Sequence, residues 1–299
     1  MKYHILLWIT AIFWGVSFVA TGIIVNKVPP FSAAAVRFFI AWIALFLINR
    51  KKTGLPFKHI FLAGLWGVTM YFVFENAALQ YTSPTNTSLI ISTIPLVNLF
   101  YLKFFQKQKF GLFSYIGSAV SFIGVAVVIL NGVLVLKLNP LGDILVFGAT
   151  VSWIMYTHYF LSIQKSLEVK KEIPLIAATR EITFYGFISL LPFAIFEYFN
   201  TPFDISIFVT DSSVLFGTLY LGIFCSSLGY LFWNKSIQKL GARYATNAIY
   251  MLPLITAVAE IIIMNKLPNI YLLIGGIMVV AGLFIAESKK KLPEGPEIY

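Results

Sequence analysis

Apolar stretches long enough to cross a bilayer recur along almost the whole 299-residue chain. A helix needs about 20 apolar residues to span the hydrocarbon core, and it satisfies its backbone polar groups internally, as lipid requires. Apolar residues make up 59% of the chain and charged residues 11%, which leaves no stretch with the composition of a soluble domain. The sequence therefore predicts an all-α membrane protein with many spans.

Hydropathy and the polar breaks between apolar stretches predict ten transmembrane helices. The first is expected to be retained, because it is long and lacks a small-x-small cleavage site before Asn26. The predicted spans cover roughly residues 4–24, 32–48, 59–81, 84–105, 112–131, 141–163, 174–198, 213–234, 243–264 and 270–287.

Lysine and arginine predict the orientation of these spans. Of the 22 cations, 17 fall in the segments on the side of the N-terminus, three fall in the opposite loops, and Arg37 and Arg180 lie within spans. The positive-inside rule therefore predicts cytoplasmic termini in a protein of the cytoplasmic (inner) membrane. The net charge of +10 is spread over six segments, so it forms no nucleic-acid-binding patch and no nucleic-acid partner is expected.

The chain contains a weak internal repeat with an offset of 158 residues. Smaller offsets relate Trp14 to Trp153 and Arg37 to Arg180. Each half then holds five spans, and an odd number makes the second half enter the membrane from the opposite face. The pairs at the main offset are Gly64 and Gly222, Asn76 and Asn234, Gln80 and Gln238, Pro95 and Pro253, Gly117 and Gly275, and Gly124 and Gly282.

The repeat predicts two inverted five-helix units, residues 1–132 and 133–287, followed by a cytoplasmic tail at 288–299. Inverted repeats are typical of secondary transporters, whose site lies near the middle of the membrane. Pro95 and Pro253 each remove a backbone hydrogen bond within a span, so we expect matched hinges there. A kink with only a packing role is the alternative.

Several motifs, in this order and spacing, carry a family resemblance. They are WGVSF at 14–18, PPFSAAAVRFFIAW at 29–42, ALQYTSPTNTSLIISTIPL at 78–96, GD at 142–143 with Trp153 and Tyr156, and LGYLFWNKSIQKLGARYATNAIYMLPL at 228–254. Over essentially its whole length the chain resembles the EamA-type family of the drug/metabolite transporter superfamily. The resemblance implies ten helices in two EamA repeats, and transport of small metabolites through a central cavity.

The chain departs from that family in one respect. The family usually ends spans four and nine in a glycine–glutamate pair. Here those places read Lys107-Gln108 and Asn265-Lys266. A role of that glutamate in gating or helix capping would be missing or moved in this chain. Glu260, earlier on span nine, is a candidate to replace it.

Ionisable residues inside spans cost about 2.5 to 3.5 kcal/mol each on insertion scales, so they normally face a cavity, a partner or a pathway. The predicted topology sorts six such residues into two groups by depth. Towards the outer side lie Arg37, Glu75 and Glu260, and in the inner halves of spans six and seven lie His158, Arg180 and Glu181.

Glu75 and Asn76 place a carboxylate and an amide in the outer half of span three. Tyr71 lies one helical turn before Glu75 on the same face. We predict that Glu75 lines the substrate cavity and pairs with Arg37 when the outer side closes. The alternative is a permanent pair with Arg37, or a hydrogen bond to Tyr71, that only holds the bundle together.

The inner residues leave more alternatives open. Arg180 and Glu181 are about 100° apart on a helix, and Arg180 is favoured as the cavity residue because it matches Arg37 in the repeat. Anchoring by snorkelling is the alternative for both. His158 is either structural or a proton carrier, and Glu260 is a second candidate for proton coupling.

Trp14 and Trp153 lie at the centres of spans one and six, deeper than the interfacial belt where tryptophan usually collects. Stacking on a substrate and plain packing are both open for them. Small residues on spans five and ten are expected to let helices pack closely, with dimerisation as the alternative, so the protein is a monomer or a homodimer. These small residues are Gly117, Ser121, Gly124, Gly275 and Gly282.

The leading functional hypothesis is a secondary transporter that exports small polar or aromatic metabolites, such as amino acids, with proton coupling. A carboxylate with aromatics suits a cation, arginines suit a carboxylate, and both together favour a zwitterion. The alternatives are an organic-cation or drug transporter, an uncoupled facilitator and, remotely, an intramembrane enzyme. No P-loop or metal motif occurs, so no cofactor, metal or catalytic residue is expected.

Overall fold

The computed structural model describes residues 1–78, 81, 87, 90–130, 139–264 and 270–287. Nine helices of this part are long and apolar enough to cross a membrane, and the described part of α4 has 11 residues. The helices are α1 Lys2–Val25, α2 Pro30–Ile48, α3 Phe57–Ala78, α4 Ile94–Phe104, α5 Leu112–Leu130, α6 Pro140–Val169, α7 Leu175–Asn200, α8 Ser212–Leu240, α9 from Ala242 to Met264 and α10 Ile270–Glu287.

The all-α prediction is confirmed, but two predicted span ends were wrong. Helix α6 continues past 163 to Val169, and α8 continues past 234 to Leu240. Lysines expected in loops, such as Lys165 and Lys239, therefore lie on helices. Hydropathy finds where the apolar stretch ends, whereas α8 ends at Gly241, whose φ of 86° is a backbone conformation that glycine readily adopts.

The helix ends gather in two layers. At one end, called here the basic end, His4 Nδ1 lies 3.0 Å from the Tyr244 hydroxyl and Lys170 donates to the Gly54 carbonyl. At the opposite end, Lys27 lies 2.6 Å from the Asp211 carboxylate. The hydrogen bond from Lys27, together with those from the Ser213 hydroxyl and the Val214 N–H, holds the pKa of the Asp211 carboxyl well below its usual range.

Glu197 fixes the start of α2 at the opposite end. That helix begins at Pro30 without a side-chain cap of its own. The Glu197 carboxylate accepts hydrogen bonds from the backbone N–H groups of Phe31 (3.1 Å) and Ser32 (2.7 Å) and from the Ser32 hydroxyl. A carboxylate there satisfies N–H groups that a helix leaves unpaired and complements the positive end of the helix dipole. A residue near the end of α7 thus positions α2.

Helices α5 and α10 run antiparallel in close contact. Gly117 lies against Gly282, and a Cβ at Gly124 would lie 2.7 Å from the Gly275 carbonyl oxygen. The Ser121 hydroxyl donates to the Val279 carbonyl at 3.1 Å. The small residues that the sequence offered for dimerisation are therefore used within one chain.

Backbone irregularities recur at the repeat offset. A π-helical segment, Leu65–Met70, interrupts α3, and a second, Leu221–Leu228, interrupts α8. Pro95 is the second residue of α4, after a turn at 92–93, and Pro253 follows the 3₁₀ turn Ala248–Met251 in α9. Irregular helix at matched positions supports the prediction of two equivalent halves, because each irregularity frees backbone groups and marks a place to bend.

The end of α4 accounts for the departure at Lys107. Lys107 adopts a left-handed φ of 54°, and the Gln108 N–H donates to the Leu102 carbonyl at 3.0 Å. This is the helix ending that normally carries glycine. The corresponding Asn265 and Lys266, like the predicted tail at 288–299, lie outside the described residues.

The contact between α5 and α10 predicts the effect of a bulky residue there. We expect Gly124→Val to lower the free energy of unfolding by roughly 1 to 3 kcal/mol, because the new methyl groups meet backbone atoms of α10 that cannot move away. The matched control is Gly22→Val on α1, where an added Cβ meets nothing within 4 Å. Thermal unfolding of both variants in detergent checks this, and equal midpoints would contradict it.

Candidate functional site

Six aromatic residues from four helices pack together in the interior, and we call them the aromatic cluster. Trp14 of α1 lies 5.3 Å from Trp153 of α6 between ring centroids, and Tyr71 of α3 lies 5.6 Å from Trp153. The other members are Tyr156, Tyr230 and Trp233. Residues from both halves of the chain therefore meet at one place.

Hydrogen bonds orient part of the cluster. The Trp14 indole N–H donates to the Cys225 carbonyl at 3.0 Å, and the Tyr230 hydroxyl donates to the Gly67 carbonyl at 2.8 Å. The Tyr156 hydroxyl donates to Asn234, whose amide donates to Thr179. Buried polar groups normally find such partners, so these bonds fix the rings.

Two indole nitrogens in the cluster have no partner. The N–H groups of Trp153 and Trp233 are buried and make no hydrogen bond with any described residue. The two rings lie 5.7 Å apart between centroids. Unpaired buried donors are rare in proteins and call for an explanation.

Arg37 is a buried cation beside this cluster. Its Nε donates to the Ser226 hydroxyl at 2.5 Å, and its Cζ lies 5.2 Å from the centroid of Phe72 and 5.5 Å from that of Phe38. Within the described residues, no carboxylate lies within 4.0 Å of the guanidinium. A neutral hydroxyl and two ring faces are thus its immediate partners.

Glu75 is half-buried on α3, in the same region. The Tyr71 hydroxyl lies 3.4 Å from its Oε1, across one helical turn. Its charge interacts with that of Arg37, but no ion pair within 4.0 Å joins the two groups. The permanent pair considered from the sequence is therefore absent in this conformation. Asn76, also half-buried, makes no side-chain hydrogen bond among the described residues.

Arg180 and Glu181 lie away from the cluster, at the basic end. Arg180 donates to the backbone carbonyls of Asn49 (2.7 Å) and Lys51 (2.9 Å), and it pairs with Glu181 at 3.1 Å. Glu181 also accepts from the N–H and hydroxyl of Thr53. Both side chains therefore hold the connection between α2 and α3. Arg180 is buried, so this contact differs from the snorkelling that the sequence offered as the alternative.

His158 of α6 and Glu260 of α9 are the remaining ionisable candidates. The His158 Nδ1 makes a hydrogen bond with the Tyr101 hydroxyl, which also accepts from Gln106. Glu260 is half-buried on α9. The predicted site residues that the structure brings together are thus Trp14, Arg37, Tyr71, Glu75 and Trp153.

Sequence reasoning missed several residues of this region. Ser226, Tyr230 and Trp233 lie at spacings of four and three residues, so they share one face of α8. A hydroxyl and two amphipathic aromatics on one face of a membrane helix were a usable signal. Phe38 and Phe72 carried none, because the chain contains 29 phenylalanines.

Comparison with known proteins identifies the class of this molecule. The model of the EamA-like transporter family matches residues 1–130 and 140–287. The chain belongs to the EamA-like transporter family. The earlier resemblance is confirmed, and the protein is a multi-pass membrane transporter and not an enzyme.

Relatives and a solved structure agree with this assignment. An uncharacterized transporter of Archaeoglobus fulgidus is 28% identical, covering 97% of this chain and 98% of its own. The uncharacterized transporter YyaM of Bacillus subtilis is 25% identical, covering 98% and 96%. A protein of known crystal structure, 17% identical, superposes with a TM-score of 0.77 over 96% of this chain and 98% of its own, which shows the shared fold.

Arg180 and Arg37 have different surroundings, so replacing each with glutamine should affect stability differently. We expect Arg180→Gln to lower the free energy of unfolding by roughly 1 to 3 kcal/mol, because two backbone carbonyls and Glu181 lose a charged donor. Arg37→Gln should leave stability unchanged or raise it, because a buried guanidinium with one neutral partner is costly. Thermal unfolding in detergent ranks the two, and a larger loss for Arg37→Gln would contradict this interpretation.

Proposed function

We propose that this transporter moves small zwitterionic metabolites, amino acids above all, by alternating access across the cytoplasmic membrane. The observation that carries the proposal is the pair of opposite charges beside the aromatic cluster. Among the described residues, Arg37 is buried without a carboxylate within 4.0 Å, and half-buried Glu75 has the Tyr71 hydroxyl as its side-chain hydrogen-bond partner.

The cost of an unpaired charge in a membrane favours a ligand that carries a counter-charge for Arg37 and another for Glu75. A charge inside a membrane protein is expensive unless it is paired, and a guanidinium is well suited to bind a carboxylate. An α-amino acid brings a carboxylate for Arg37 and an ammonium for Glu75. A solute with one charge satisfies only one of the two groups.

The aromatic cluster favours solutes with polarizable or aromatic side chains. The rings of Trp14 and Tyr71 each pack edge-on against Trp153, with centroids 5.3 and 5.6 Å apart. An ammonium is attracted to such ring faces, and aromatic rings stack on them. The same surroundings would suit an organic cation, which is the second candidate substrate.

Alternating access is supported by the architecture. The π-helical segments and prolines recur at the repeat offset, and α5 packs antiparallel to α10, its equivalent in the other half. Two equivalent halves with opposite orientation can exchange conformations about a central site. The clustering of lysine and arginine at the basic end supports cytoplasmic termini by the positive-inside rule.

Proton-coupled export is the mode that we propose. Glu75 is a carboxylate that can alternate between a proton and the substrate ammonium, so the two cannot be bound together. In proteoliposomes, an ionophore that collapses the proton gradient should abolish accumulation against a concentration gradient. If the solute equilibrates across the membrane but never accumulates against its gradient, the protein is an uncoupled facilitator.

Transport by charge-deleted variants tests the site directly. We expect Glu75→Gln and Arg37→Gln each to reduce kcat/KM for amino-acid flux by roughly ten- to a hundredfold, since each loses a hydrogen bond to a charged group. The matched controls are Glu168→Gln and Arg50→Gln, which change the same groups at exposed positions.

Radiolabelled flux in proteoliposomes, at equal reconstituted protein, is the measurement. Full activity in either Glu75→Gln or Arg37→Gln would contradict the proposed site. A loss confined to Glu75→Gln, together with transport of amines, would favour the organic-cation alternative.

A further inference from the structure

The two halves of the molecule differ at one pair of equivalent carbonyl groups. Gly67 lies in the π-helical segment of α3 and Cys225 in that of α8, and the two positions are 158 residues apart, the repeat offset. A π-helical segment leaves carbonyl oxygens that the helix does not use. Each of these two carbonyls accepts a hydrogen bond from an aromatic side chain, but the two donors are not at equivalent positions of the repeat.

The repeat predicts an equivalent hydrogen bond in each half. Trp14 donates to the Cys225 carbonyl. Because Trp153 is the repeat counterpart of Trp14, the equivalent bond would join Trp153 to the Gly67 carbonyl. Instead, the Tyr230 hydroxyl donates to Gly67 at 2.8 Å. The Trp153 N–H, on a side chain 5% exposed, makes no hydrogen bond with any residue that the structure describes.

Trp153 and its neighbour Tyr156 contact the part of α3 that carries Gly67. The Trp153 ring contacts Tyr71, one helical turn beyond Gly67 on α3. Tyr156, one turn along α6 from Trp153, packs directly against Gly67, where an added Cβ would lie 2.5 Å from the Tyr156 ring. For the indole N–H to reach the carbonyl, the contact between α3 and α6 must change.

We infer that the Trp153 N–H donates to the Gly67 carbonyl in the opposite-facing state, where it replaces the Tyr230 hydroxyl. This inference rests on the alternating access proposed above. In an inverted repeat, a contact made by one half in one state is made by the equivalent residues in the other state. The Trp14 bond to Cys225 then stabilises the present state, and the Trp153 bond to Gly67 stabilises the opposite one.

Trp153 is accordingly a positioning residue for the transport cycle. A bond that exists in one state changes the equilibrium between the two states by its own free energy. Trp14→Phe and Tyr230→Phe remove bonds of the present state. Trp153→Phe removes the bond of the opposite state and should shift the equilibrium the other way.

Ala78 provides a reporter for this equilibrium. It lies at the end of α3 opposite the basic end and is fully buried in the present state. Cys225 is the one cysteine of the chain, so Cys225→Ser gives a background without thiols and keeps the backbone carbonyl. In that background, Ala78→Cys reacts with a membrane-impermeant maleimide only when this end opens.

The test compares labelling rates in proteoliposomes without any solute. We expect Trp14→Phe and Tyr230→Phe to raise the rate by about three- to tenfold, as loss of one net hydrogen bond implies, and Trp153→Phe to lower it by a similar factor. The matched control is Trp42→Phe on α2, whose ring contacts Phe39, Phe46 and Phe184 outside the cluster. It should leave the rate unchanged.

The decisive result is a change of the labelling rate in opposite directions, because general loosening of the fold would raise the rate in every variant. If Trp153→Phe raises the labelling rate or leaves it unchanged, the inference is overturned. Should Trp14→Phe fail to fold, the contrast between Tyr230→Phe and Trp153→Phe still decides. No substrate takes part, so the result is independent of which solute the protein carries.

Discussion

A polar group inside a bilayer must find its partner within the protein, and most of this structure follows from that constraint. The Glu197 carboxylate serves the free N–H groups at the start of α2, and the carbonyl of Cys225 in a π-helical segment receives the Trp14 indole. Lipid gives helices no hydrophobic reason to associate, so close contact and such bonds hold the bundle together. The small residues between α5 and α10 provide one such close contact.

The exceptions to this constraint are the basis of the proposed function. Arg37 is buried beside a hydroxyl and two rings, and Glu75 lies near it without an ion pair. A structural pair would have been joined directly, as Arg180 and Glu181 are at the basic end. Two opposite charges held apart beside an aromatic cluster are what a small zwitterion requires. The unpaired indole of Trp153 is a second exception, and it points to a different state of the same molecule.

Sequence reasoning reached the all-α membrane fold because hydropathy acts along the chain. It also placed Trp14 and Trp153 centrally and set Tyr71 one turn from Glu75, since helical spacing fixes both. It could not find the partners that come from distant helices, such as Ser226 for Arg37 or Glu197 for α2, because a single sequence gives no register between helices. Arg180 shows the same limit, since its repeat relation to Arg37 did not reveal the loop carbonyls that it binds.

The central claim is that the site binds both charges of one solute. The most direct measurement is the thermal stability of the purified wild-type protein against a panel of amino acids, each compared with its matched amine and its matched carboxylic acid at equal concentration. A ligand that binds only the folded protein raises the unfolding temperature in proportion to its affinity. We expect a clearly larger rise for a zwitterion than for either singly charged analogue, and an equal or larger rise for an analogue would contradict binding of both charges.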